Sequence, residues 1–178
     1  ALPRPADWLA AQSALAVELA GAALAVGRLE ARLTAMDDKA RAGATRRLAL
    51  VEIEEMLRAQ GTPLSREEIG LDAMAARAGT DLQAMAQARW ALRRLEGQSD
   101  PDRLRNFLAL HRAESRPEDR ADPAWSDRLS GADFDSAAAD FLDAMQGLSR
   151  LHPLTRAPAA RMLWRLAELS PDDAAIEG

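Results

Sequence analysis

The N-terminal stretch carries the most regular hydrophobic pattern in the chain. Apolar or small residues recur there at alternating intervals of four and three positions. The members of this seam are Leu15, Leu19, Ala22, Val26, Leu29, Leu33 and Met36. Such spacing predicts one long helix, over about residues 6–36, whose apolar stripe packs against another helix. We expect this stripe to be buried, against later helices of the same chain in preference to a dimeric coiled coil.

Helical periodicity continues along the rest of the chain. The pattern predicts further helices over about residues 46–60, 66–77, 82–96, 101–114, 135–150 and 156–169. Gly61 and Pro63 are expected to end the second helix. Ser65 and Glu68 have the spacing of a capping box in front of the third. The residues expected to face inward on the second, fourth and penultimate helices are Leu48, Val51, Ile53, Met56, Leu57, Met85, Ala88, Leu92, Leu95, Ala138, Phe141, Met145 and Leu148.

The segments between these helices contain no strand-like alternation of apolar and polar residues. Residues 37–45 are expected to form a short connection, and residues 115–131 a long irregular loop. We therefore predict an all-α fold, with residues 1–178 forming a single compact domain of six to eight helices.

Composition and charge narrow the classes of function. The chain has 23 basic and 28 acidic residues, a net charge of −5, which disfavours a dedicated nucleic-acid binder. It contains no cysteine, so we expect neither a disulfide framework nor a thiolate metal site, and the cytoplasm is the default location. Residues 6–29 include Asp7, Glu18 and Arg28, and we therefore expect an amphipathic helix there and no membrane span.

The chemistry-bearing residue that stands out is His152, one of two histidines in the chain. It directly precedes Pro153 and a strongly helical run, and a histidine beside a helix N-terminus can act as a base near a bound anion. The alternative is a structural residue at the helix entry whose ring bonds a backbone carbonyl, and we favour it. The other histidine, His111, lies on an apolar helix face and is expected to be structural.

The ten residues from His152 to Arg161, HPLTRAPAAR, resemble the signature of Fic-domain nucleotidyltransferases. That motif runs His-Pro-Phe-x-acid-Gly-Asn-Gly-Arg between two helices of an all-helical core. The resemblance implies a Fic-like helical core, a histidine that deprotonates a target hydroxyl, an acid that holds magnesium, and glycine N–H groups that bind the phosphates of ATP.

The departures from the motif affect its working parts. Arg156 occupies the place of the acid, and Ala157-Pro158-Ala159 replaces the glycine-rich loop. An arginine repels a metal ion, and a proline has no N–H to donate. We therefore expect no metal and no cofactor, and His152 is the only candidate catalytic residue. His152, Arg156 and Arg161 together form a possible anion site.

A different interpretation concerns residues 46–97, whose predicted order of helices and turns resembles a helix-turn-helix. In that reading the helix from Leu82 to Glu96 enters the major groove, and Arg89, Arg93 and Arg94 contact DNA. Against this, the connection over residues 70–78 is longer than the usual tight turn.

Three functions are therefore expected, in order. The first is a non-catalytic regulatory or protein-interaction domain, a degenerate Fic-like pseudoenzyme that binds a protein partner or itself through helical faces. The second is a helix-turn-helix transcriptional regulator, and the third is a nucleotidyl or phosphoryl transferase with an altered motif.

Overall fold

The structure is a computed structural model. Every regular element that it describes is a helix or a single helical turn. The described residues are 4–71, 81–97, 103–108, 128–171 and 176–178, and no strand occurs among them. The helices are α1 (Pro5–Ala14), α2 (Ala16–Thr34), α3 (Asp38–Gln60), α4 (Arg66–Leu71), α5 (Leu82–Leu95), α6 (Leu104–Leu108), α7 (Gly131–Gly147) and α8 (Pro153–Leu166). The predicted all-α class is confirmed.

The helices group into two compact units. The first contains Ala1–Ala35, Arg128–Ser170 and Gly178, and the second contains Met36–Asp127 and Pro171–Glu177. Each unit has a cluster of buried apolar side chains of its own. The assignment of residues 1–178 to a single domain stays a prediction.

The predicted N-terminal helix over residues 6–36 is wrong, because two helices occupy this stretch. The axes of α1 and α2 differ by 84°, and the change of direction falls at Leu15, whose φ of −106° and ψ of 27° lie outside the helical range. Just before it, the Ser13 hydroxyl donates to the Leu9 carbonyl at 2.9 Å, a type of bond that bends helices. Because α1 packs against α8, its direction is set by a helix distant in sequence.

The prediction that the apolar seam is buried within the chain is also wrong. None of the 19 residues of α2 is buried. Leu19 and Leu33 are half-buried. The larger side chains of the seam that are exposed, with the fraction of their surface accessible to solvent, are Leu15 (56%), Val26 (39%), Leu29 (43%) and Met36 (38%). Helical periodicity fixed a common face for these residues, but no described helix of the first unit covers it.

One core cluster of the first unit lies around the turn between α7 and α8. Leu148, Leu151 and Ala159 are buried there, and Trp8 and Leu9 of α1 pack against them. Both helices begin earlier than predicted, α7 at residue 131 and α8 at residue 153. Of the side chains expected inward on α7, those at positions 138 and 148 are buried, and those at positions 141 and 145 are half-buried.

In the second unit α3 begins at Asp38, eight residues before the predicted start. The reason is Asp37, whose carboxylate accepts the Ala40 N–H at 2.8 Å and caps the helix, so residues 38–45 are helical and not a connection. The buried face of α3 carries Ala49, Ile53 and Leu57, spaced four residues apart. The prediction that Leu48 and Val51 face inward is wrong, because these positions lie on other sides of the helix and are exposed.

Helices α4 and α5 of this unit pack against α3 and against each other. The predicted capping box is confirmed: the Ser65 N–H donates to the Glu68 carboxylate at 3.0 Å, and the Glu68 N–H donates to the Ser65 hydroxyl at 3.2 Å. On α5 the side chains at positions 85, 88 and 92 are buried as predicted. Leu95 was expected to be buried as well, but it lies in the last turn and is exposed.

Several predictions fall on residues that the structure does not describe. Of the helix predicted over residues 101–114, only α6 is described, and His111 lies outside the described residues. The same holds for residues 115–127 of the predicted loop and for residues 72–77 of the predicted third helix.

Candidate functional site

His152 is the N-cap of α8. Its backbone is extended, with a φ of −57° and a ψ of 142°, and its Nδ1 accepts the Leu154 N–H at 3.2 Å. The ring therefore bonds a backbone N–H and not the backbone carbonyl that the structural interpretation expected. The carbonyl of His152 accepts the N–H groups of Thr155 and Arg156, each at 2.9 Å.

A residue from the other end of the chain fixes the backbone of this cap. The side-chain carbonyl of Gln12, on α1, accepts the His152 N–H at 2.8 Å. This contact joins residues 140 positions apart, and no pattern in the sequence indicated Gln12. The half-buried His152 is thus bonded through its backbone N–H, its carbonyl and its Nδ1. Only Nε2 remains for any further role of the imidazole.

The three residues predicted to bind an anion do not share one face of α8. Arg156 is half-buried in the first turn, close to the cap, whereas Arg161 is exposed. Five residues separate the two arginines, which places them about 140° apart around the helix axis. The structure therefore brings His152 and Arg156 together and leaves Arg161 on another side. The anion site stays a prediction for the first two residues.

The loop positions of the Fic-like motif are helical. Pro158 lies inside α8, where it has no N–H to donate to the helix or to a ligand. Within the described part of the chain, no group of three or more His, Asp or Glu residues is placed to hold a metal ion.

The three arginines predicted to contact DNA have different surroundings on α5. The guanidinium of Arg94 lies 5.0 Å from the centre of the Trp90 ring, and its Nε donates to the Phe107 carbonyl at 2.9 Å. Trp90 also donates to this carbonyl, at 3.0 Å, and its ring meets that of Phe107 edge to face. Arg94 is half-buried and holds α6 against α5 through these contacts, and its DNA contact stays a prediction.

Arg89 and Arg93 are exposed and lie one turn apart on α5. The basic face that these two residues form is smaller than the face of three arginines that was predicted. Just after the same helix Glu96 pairs with Arg46 at 2.7 Å, and this neutral pair adds no positive charge to the basic face. The connection between α4 and α5 lies outside the described residues, so the helix-turn-helix interpretation stays a prediction.

The apolar side of α2, with Leu15 at its N-cap, is the third candidate site, and we call it the α2 seam: Leu15, Leu19, Ala22, Val26, Leu29 and Leu33. Two further large apolar side chains, Val17 at 82% exposure and Leu24 at 56%, lie on the opposite side of the same helix. Glu18 and Arg32 flank the seam and are exposed. Neither forms an ion pair with a described residue.

Among the described helices, none alone has the length and hydropathy required to cross a membrane. Helices α1 and α2 meet that requirement only when they are taken together as one segment, bent by 84°.

Comparison with known proteins gives no relative for this chain. No protein-family model matches it, and neither a curated protein nor a solved structure matches it significantly.

Proposed function

We propose that this chain is a non-catalytic helical interaction domain that binds a protein partner through the α2 seam. The observation that supports this best is that none of the 19 residues of α2 is buried, with Leu19 and Leu33 of the seam half-buried and the larger side chains between them exposed. Contiguous exposed apolar surface on a folded protein is a common mark of a protein interface. The proposed setting is the cytoplasm, where a cysteine-free domain needs no disulfide.

The proposal includes a degenerate Fic-like origin for the segment that joins α7 to α8. Its support is the position of His152 between two helices, with Arg156 in the place of a metal-binding acid. In that reading the turn has kept its histidine as a helix cap, through the bond from the Leu154 N–H. The nucleotide-binding groups of the motif have been replaced.

A photoreactive amino acid at position 29 tests the interaction proposal, with the same residue at position 17 as the matched control. Both positions lie on α2 and are exposed, but only position 29 belongs to the seam. We expect irradiation in a cell extract to give discrete protein adducts from position 29 and few from position 17. Equal labelling from the two positions, or none from either, would contradict the proposal.

DNA binding is the second candidate, favoured by the mutual packing of α3, α4 and α5 and by the exposed Arg89 and Arg93. Fluorescence anisotropy with duplex fragments tests it, and on our proposal no sub-micromolar binding is expected. Tight binding that Arg93→Glu abolishes would promote the DNA-binding function above the interaction function. Lys39→Glu serves as the control, because it makes the same change of charge, from +1 to −1, on another helix.

A further inference from the structure

We propose that α2 pairs with α2 of a second copy of this chain, forming an antiparallel two-helix coiled coil. This inference rests on the proposed function, since it uses the same α2 seam, and it adds the identity of the partner and the orientation of the pair. The seam is the hydrophobic side of a helix of 19 residues, about 28 Å long, none of which is buried.

The seam is self-complementary when two copies run in opposite directions. An antiparallel coiled coil sets each a-type position of one helix against a d-type position of the other. With the two-fold axis near the middle of α2, the facing pairs are Leu15 with Leu33, Leu19 with Leu29, and Ala22 with Val26. Symmetry repeats each pair, so six layers of contact follow, and every layer contains at least one large apolar side chain.

The parallel alternative packs less well. Equal positions then face each other, and Ala22 meets Ala22 of the second copy, which leaves a gap in the middle of the seam. In the antiparallel pair the larger Val26 fills this space. The small side chains of Ala23 and Ala25 beside the axis also permit a close approach of the two helices.

The charged residues that flank the seam favour the same orientation. In the antiparallel pair Glu18 of one copy faces Arg32 of the other, and the symmetry makes this ion pair twice. In the parallel pair Glu18 faces Ala23, and Arg32 faces a position beyond the end of α2. Exposed ion pairs contribute little to affinity. We therefore expect these two pairs to determine the orientation of the helices, with the apolar seam supplying most of the affinity.

The bend at Leu15 limits the paired segment to α2 and its N-cap, Leu15. Extending the pairing to Met36 would require a partner at Gln12, which lies on α1 beyond the 84° change of direction. Gln12 is also bonded to the backbone of His152. Met36 is therefore outside the proposed interface.

Sedimentation equilibrium of the full chain tests whether the pair forms. We expect a monomer–dimer equilibrium in which Leu29→Lys raises the dissociation constant at least about tenfold, because the dimer loses two buried leucines. The matched control is Val17→Lys, on the other side of α2, which should leave the equilibrium unchanged. A wild-type chain that stays monomeric at all concentrations, or equal effects of the two variants, would overturn the proposal.

Charge exchange tests the orientation without removing apolar contacts. We expect Glu18→Arg and Arg32→Glu each to weaken self-association, because each places like charges opposite one another. Mixing the two single variants should restore pairing as a heterodimer, and the double variant should restore it as a homodimer. If neither the single variants nor their combination changes the dissociation constant, the antiparallel pairing is wrong.

Two further outcomes separate this inference from the proposed function. If position 29 crosslinks to another protein while the chain sediments as a monomer, the interaction function stands and the self-pairing fails. The second outcome comes from flotation with phosphatidylcholine vesicles. If the chain is monomeric and binds the vesicles, and if Leu29→Lys abolishes this binding, the seam binds a lipid surface. That result would overturn both the interaction function and the self-pairing.

Discussion

His152 and Gln12 show how a residue acquires its role from contacts at very different sequence distances. The bond from the Leu154 N–H to the His152 ring is local, and it follows from the position of the histidine in front of Pro153. The bond from the His152 N–H to Gln12 spans the chain and exists only because α1 packs against α8. The same contrast separates Gly61, whose φ of 91° ends α3 locally, from Arg94, whose partners lie on another helix.

The start of α1 offers a prediction about pH. The Arg4 side chain, and then its backbone N–H, donate hydrogen bonds to Asp7, and they hold the pKa of this carboxyl below its ordinary value of 3.8. A lowered pKa means that the contribution to stability is present above the ordinary value and is lost as the pH falls through the lowered one. NMR titration of the carboxyl carbon should give the lowered midpoint, and Arg4→Ala should raise it towards 3.8. Equal midpoints in the two proteins would contradict the assignment.

Burial on α3 gives a prediction about stability. Ile53 is fully buried, whereas Val51, two residues earlier, is 42% exposed. Replacing Ile53 with alanine should lower the free energy of unfolding by about 2–5 kcal/mol, because it leaves a cavity in the second unit. Val51→Ala, the matched control, should cost less than about 1 kcal/mol. Urea denaturation measures both, and equal losses would mean that the buried face of α3 is assigned to the wrong residues.

At the scale of the element, side-chain caps mark where several helices begin. Ser65, Asp37 and Asp81 each accept a backbone N–H from the first turn of a helix. The Ser65 cap was predicted, because its partner glutamate has a recognisable spacing. Asp37 was instead assigned to a connection, since no large apolar side chain follows it until residue 48. A cap can begin a helix well before the helix reaches the core.

The cap of α8 can be tested by substitution at His152. Alanine should lower the free energy of unfolding by about 0.5–2 kcal/mol, because the Leu154 N–H loses its acceptor. Asparagine, a strong N-cap residue, should restore most of that loss. Ser149→Ala, in the preceding turn, is the control and should have little effect. Thermal or urea unfolding decides the matter, and equal losses from alanine and asparagine would show that the ring acts through packing instead.

At the scale of the whole molecule, the altered motif gives a prediction about activity. Nucleotidyl transfer in the manner of the Fic family needs an acid on magnesium and free N–H groups around the phosphates. In the segment of this chain that resembles the motif, Arg156 and Pro158 stand at the corresponding positions. We therefore expect no labelled nucleotide on this protein or on lysate proteins after incubation with labelled ATP and magnesium or manganese. Robust transfer of labelled nucleotide, abolished by His152→Ala, would refute this prediction and would support the transferase function instead.

Much of the fold was accessible from the sequence because it depends on short-range physics. Helical periodicity, the glycine after α3 and the capping box before α4 fixed the all-α class and several helix ends. The same periodicity identified Ile53, Leu57, Met85 and Leu92 as core residues. The position of His152 at a helix entrance followed from the proline next to it.

Only the tertiary structure decided how these elements are used. Periodicity shows which residues share a face of a helix, but it does not show which other part of the protein covers that face. The seam on α2 was therefore placed correctly on one side of a helix and wrongly in the core, where other helices of the chain would cover it. The bend at Leu15 and the contact of Gln12 with His152 depend on the packing of α1 against α8, which is non-local. The sequence thus determined the local conformation, and long-range packing determined which surfaces were left exposed.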